Sequence, residues 1–107
     1  MPLIKLEFDD KKVPIAKIQQ LSEALQKIVS KTTGIEDVFV YANSAQIKVQ
    51  VAPIEIFVEM SAHKIKDADV LIRDIKSHIS KWKQENDFKY PINLTLIPML
   101  WKIETGI

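Results

Sequence analysis

The chain opens Met1-Pro2 and runs at once into Leu3-Ile4-Lys5-Leu6-Glu7-Phe8, the stretch with the clearest chemical potential. Removal of a methionine that precedes a small residue leaves a free secondary amine, here on Pro2. At the lip of an apolar strand such an amine is pushed toward its neutral form, because desolvation penalises the cation. A neutral amine near pH 7 acts as a general base. While Met1 stays attached, the same nitrogen is a tertiary amide without basicity. One processing step therefore decides whether the base exists.

Other side chains compete for chemical roles and mostly have plainer uses. His63 and His78 lack carboxylates at ligand spacing, so both are expected on the surface and no metal site is expected. Glu55 and Glu59 share one strand face, with Glu7 nearby; acid–base work is one use, but ion pairing with Lys5 or with a neighbouring subunit fits better. Asp67-Ala68-Asp69 lacks the glycine and spacing of a calcium loop and suits a helix cap. Asn93-Leu94-Thr95 matches a glycosylation sequon, which carries no meaning within a buried strand. Lys81-Trp82-Lys83 suggests stacking on nucleic acid, but a net charge of +1 and acidic neighbours argue against that partner. Trp82 reads as core with its polar edge toward water.

Composition narrows the function classes. At 107 residues, 47% apolar and 27% charged, the chain suits one soluble domain over 1–107. No apolar run approaches the ~20 residues of a membrane span, and no signal peptide is evident. With no cysteine there is no thiolate nucleophile or disulfide, and a cytoplasmic location is expected. Gly34 and Gly106 are the only glycines, which rules out glycine-rich phosphate loops. Arg73 is the only arginine among 15 Lys and Arg residues, so bidentate dianion clamps are also disfavoured. No cofactor is expected.

The elements that must hold these residues follow from periodicity. Ile4, Leu6 and Phe8 alternate with Lys5 and Glu7, the period of a half-buried strand. Pro14 opens a helix in which Ile15, Ile18, Leu21, Leu25, Ile28 and Val29 form one apolar stripe, closed at Gly34. Val38 to Ala42 reads as a strand, and Gln46 to Val51 alternates as a short edge ribbon interrupted by Pro53. Ile54 to Met60 is the next strand. A second helix, capped by Asp67 or Asp69, carries Val70, Leu71, Ile75, Ile79 and Trp82 inward. Ile92 to Ile97 is the last long strand, stopped by Pro98, and Met99 to Ile103 reads as a short one.

The order is thus a tandem β-α-β repeat of the α/β class. It predicts a four-stranded mixed sheet with two helices on one face, plus short edge strands. The opposite face carries Lys5, Glu7, Phe39, Tyr41, Glu55, Phe57, Glu59, Asn93, Thr95 and Ile97. Three aromatics among those charges are too apolar for a solvated surface, which points to packing against copies of the same chain. The Gln46 to Val51 segment is suited to pair with a neighbour's sheet edge.

Met1-Pro2 before an apolar strand, Thr33-Gly34 closing the helix, Val38-Phe39-Val40 after it, Pro53 leading Ile54 to Met60, and Ile92 to Pro98 after the second helix together resemble the tautomerase superfamily. That superfamily includes the oxalocrotonate and carboxymethyl-hydroxymuconate isomerases and macrophage migration inhibitory factor. The resemblance covers nearly the whole chain and is closest to a small bacterial branch of uncharacterised proteins of about this length. It implies a tautomerase-like fold and a homotrimer with pockets between subunits. It also implies a keto-enol isomerisation in which Pro2 is the catalytic base. By the same resemblance, His63 and Lys64 supply donors near the pocket mouth, and Asn93 is a polar pocket residue from the adjacent subunit. Ile35 stands where the cytokine-like members carry a lysine, and Arg73 is no counterpart of the isomerases' arginines. The implied ligand is a small carbonyl or enol compound with one carboxylate at most. Two other readings stay open: a non-catalytic binding or scaffold protein of this fold, and a ferredoxin-like regulatory module sharing the same element order.

Overall fold

The computed structural model describes Met1–Ile107. Strand β1 (Leu3–Phe8) buries Ile4, Leu6 and Phe8 and exposes Lys5 and Glu7, as the alternation demands. Asp9 then turns the chain. Its carboxylate accepts the Lys11 backbone N–H at 3.0 Å, and its carbonyl accepts those of Lys12 and Val13. Helix α1 (Ile15–Thr33) starts from Pro14, whose extended backbone sits at the cap and whose carbonyl takes the Lys17 N–H. Ile18, Leu21, Leu25 and Val29 are buried along one side. Ile15, expected in that stripe, is 77% exposed, and Val13 just before the helix is buried instead. Gly34 closes α1 at φ 73°, a left-handed conformation that glycine adopts without a Cβ penalty, and its N–H reaches Ser30 at 2.9 Å.

Strand β2 (Phe39–Asn43) runs parallel to β1, with Leu3 beside Phe39. Strand β3 (Ile54–Ser61) runs antiparallel to β1, with Leu3 opposite Glu59. A single 3-10 turn, Ala62–Lys64, leads toward helix α2 (Ala68–Glu85). Asp67 caps α2 by accepting the N–H groups of Asp69 and Val70 at 3.1 and 3.2 Å. Ile75 and Ile79 are buried beneath α2, while Trp82 is half-buried and stacks at 5.2 Å on Phe88. Val70, placed in that stripe from its spacing, is exposed in the first turn. Strand β4 (Asn93–Met99) pairs parallel with β3.

The sheet order is β2-β1-β3-β4. Each β-α-β half is a parallel pair, and the halves meet antiparallel through β1 and β3 at the centre. Both helices share one apolar cluster with Ile4, Leu6, Ile56 and Val58, so they cover the same face. The ferredoxin-like alternative is overturned here. That arrangement needs an antiparallel sheet, whereas β1–β2 and β3–β4 are both parallel.

Two expected strands do not form. Gln46 to Val51 makes no ladder, and Ile47 and Val49 are 84% and 98% exposed. Alternation fits a segment for a sheet but supplies no partner, and within one chain no free edge reaches it. Met99 to Ile103 is no separate strand either. β4 runs through Pro98 to Met99 and the chain then leaves the sheet. An edge strand tolerates proline where the missing N–H faces away from the ladder.

Candidate active site at the amino-terminal end of the sheet

Pro2 precedes β1 and is fully buried. Its carbonyl accepts the Phe39 N–H at 3.2 Å, which ties it to the start of β2. Continued one step, the two registers set Pro2 between Val38 and Met60, themselves buried. Ordinary strand alternation thus places the ring on the same side as Ile4 and Leu6. Met1 before it is partly exposed.

The polar groups at this end lie on the open face of the sheet. The Lys5 ammonium sits 3.1 Å from Glu59, whose side chain is only 13% exposed. This ion pair is the use that the strand pattern favoured for Glu59. Beyond it, Ser61 ends β3 almost out of solvent, and its Oγ lies 2.9 Å from His63 Nδ1. His63 stands exposed on the 3-10 turn. The sequence reading missed Ser61. Its signal was available: it continues the open-face series Glu55, Phe57, Glu59 and stands two residues before a histidine.

Lys64 lines a cavity of about 270 Å³ bounded by Thr32, Thr33, Met60, Leu71 and Asp74, between the end of α1 and the start of α2. Met60 is shared between this cavity and the surroundings of Pro2. The structure therefore brings Pro2, His63 and Lys64 to one end of the sheet. Asn93 is not with them. Its Nδ2 donates to Glu55 at 2.8 Å, and Glu55 lies five positions from Met60 along β3, about 17 Å at the usual strand rise. Any part for Asn93 at Pro2 requires a second copy of the chain.

Elsewhere the polar groups have local partners. His78 Nδ1 contacts the Asp74 carbonyl at 2.8 Å on the surface of α2. Lys48 reaches Asp10 at 2.8 Å, and this hydrogen bond, reinforced by its charge, holds the Asp10 carboxyl below the usual carboxylate range. No three His, Asp or Glu side chains converge as metal ligands would. No helix is long and apolar enough to cross a membrane.

What the amino-terminal end offers chemically is a potential amine in an apolar setting, a compensated ion pair, a serine–histidine hydrogen bond and a free ammonium.

No known family model matches the sequence, and no curated protein matches it. Solved structures do match in shape. The malonate semialdehyde decarboxylase, solved as wild type, as a mutant and in inactivated form, superposes with a TM-score of 0.66 at 10% identity, over 98% of this chain and 92% of its own. MIF2 of Leishmania major superposes at 0.62 and 17% identity, over 99% and 95%. F6 fused 4-OT, an asymmetric trimer, superposes at 0.63 and 12% identity, over 91% and 85%. These structures are tautomerase-superfamily members, and at such identities the likeness is one of fold.

Proposed function

We propose that this chain, which has the tautomerase-superfamily fold, is a keto-enol tautomerase or isomerase of a small carbonyl compound, with Pro2 as general base once Met1 is removed. The observation that carries this reading is the complete burial of Pro2 between Val38 and Met60. A cation at that nitrogen loses hydration, so the neutral amine is favoured and can take a proton from carbon beside a carbonyl. The enolate oxygen so formed needs donors, and His63 and Lys64 are the groups at the same end of the sheet able to supply them. A bound carboxylate, one at most, finds lysine here and no arginine fork.

The proposal includes a homotrimer. Phe39 and Tyr41 on the open face, together with the unpaired Ile47 and Val49, are exposed apolar groups that burial against further copies would cover. The trimeric F6 fused 4-OT supports this reading by its shape. In such an assembly Asn93 of an adjacent copy becomes available to the pocket.

Ketonisation of phenylenolpyruvate, followed by ultraviolet absorbance, tests the reading. Protein shown by intact mass to lack Met1 is expected to accelerate the reaction, and Pro2→Ala to abolish the acceleration. A rate no different from buffer counts against it. A second reading is favoured by the place of the only arginine, Arg73, on α2, which leaves this end without an arginine clamp: a binding or scaffold protein of the same fold. It expects ligands that raise the melting temperature of Met1-bearing protein without turnover.

A further inference from the structure

The Met1–Pro2 bond has one reachable side and one closed side. Met1 is 38% exposed, whereas Pro2 is under 2% exposed and its carbonyl accepts the Phe39 N–H at 3.2 Å. Leu3 is then paired on both edges, with Phe39 of β2 and with Glu59 of β3. β1 lies inside the order β2-β1-β3-β4 and so has no free edge from which the terminus could peel away. Ile4 and Leu6, fully buried in the shared core, anchor it further. Chain termini are usually loose and open to proteolysis unless tied down, and this one is tied down from its second residue. While Met1 is attached, the Pro2 nitrogen carries no hydrogen, so its burial leaves no donor without a partner. Nothing at this end therefore stops the fold from closing with Met1 still in place.

We propose that the Met1–Pro2 bond is a processing site which folding closes, so that Met1 is removed before the chain folds or is kept. The inference rests on the preceding reading in one respect, that Pro2 is freed as a terminal amine. The co-reactants are water and a methionine-specific aminopeptidase. The water oxygen bonds the Met1 carbonyl carbon, the C–N bond breaks, and the Pro2 nitrogen takes a proton as methionine leaves. Such an exopeptidase must surround the residues on both sides of the bond. In the folded chain that requires Pro2 out of its burial, its bond to Phe39 broken, and Leu3 freed from two strands. Fraying termini open at almost no cost, whereas core strands open near the global limit. Cleavage of a transiently opened segment follows the small population that is open. Each molecule's basicity is thus fixed at synthesis. One that folds with Met1 keeps a tertiary amide, and one processed first folds around an amine.

The test uses the full chain, made by chemical synthesis with Met1, refolded, treated with a methionine aminopeptidase and followed by intact mass. A peptide of residues 1–8 under the same conditions gives the unhindered rate. The folded chain is expected to lose Met1 at least ~100-fold more slowly than the peptide. Val38→Ala, which thins the buried packing next to Phe39, is expected to raise the folded chain's rate at least ~3-fold. A folded wild-type chain cleaved as fast as the peptide overturns the inference, as does protection that Val38→Ala leaves unchanged. Phenylenolpyruvate turnover, measured on chain synthesised without Met1, separates the two readings. No turnover with Met1 protected in the folded chain removes the general-base reading and leaves this one; turnover with Met1 unprotected does the reverse.

Discussion

The two ends of the sheet are built differently. At the amino-terminal end, Pro2, Val38 and Met60 are buried, and the polar groups nearby each join a covered partner to an exposed one: Glu59 with Lys5, Ser61 with His63. At the opposite end, Asn93 meets Glu55 and Lys48 meets Asp10, an ion pair that like Lys5–Glu59 has one covered partner, while Ile47 and Val49 project into solvent. Sheltered groups gain strength in electrostatics and lose freedom of protonation, because low polarity magnifies both effects. The proposed general base therefore lies at the buried end, and the most exposed apolar residues, Ile47 and Val49, lie at the other.

Five variants sharpen or break this contrast, from the largest effect downward. Pro2→Ala in Met1-free protein is expected to lower phenylenolpyruvate ketonisation at least ~100-fold, the low end of what a positioned base supplies. Asn93→Ala making an equal loss in dilute monomer would show that the two ends are not separate. Met60→Ala removes a buried side chain beside Pro2 and should cost about 2–5 kcal/mol, read from the urea midpoint. A cost under ~0.5 kcal/mol would mean that this end is loosely packed.

At the far end, Ile47→Lys with Val49→Lys is expected to leave monomer stability within ~0.5 kcal/mol and to dissociate the proposed trimer in sedimentation. An unchanged trimer would remove these residues from the interface. Asp10→Asn should give the smallest effect. The folded carboxyl of Asp10 titrates below its unfolded value of about 3.9, so its contribution is present above that pH and lost as pH falls through the folded value. Wild type should melt slightly above the variant at pH 7, with the gap closing on acidification below pH ~4. A gap that persists or widens in acid contradicts the role given to the Lys48 hydrogen bond.

Legibility in the sequence followed physical range. The inward faces of β1 and β3 and the cap at Gly34 were readable, because strand alternation, helical spacing and left-handed φ act over a few residues. The resemblance to the tautomerases stands as a likeness of fold. Gln46 to Val51 misled for the same reason that β1 succeeded: alternation marks a segment fit for a sheet and is silent about whether an edge is free beside it. Ser61 went unread because its contact with His63 depends on the 3-10 turn that follows β3.

By itself the sequence determined the inward faces of β1 and β3, where the first helix begins and ends, and that Pro2 stands at the head of the first strand. Those properties depend on neighbours within one or two turns of chain. Only the tertiary structure decided that each β-α-β half pairs in parallel and that Ser61 and His63 gather at the end that holds Pro2. It also decided that Asn93 is left at the other end. Such outcomes depend on strand order and register between segments far apart in the chain, where shifting a pairing by one residue exchanges the two faces of a strand.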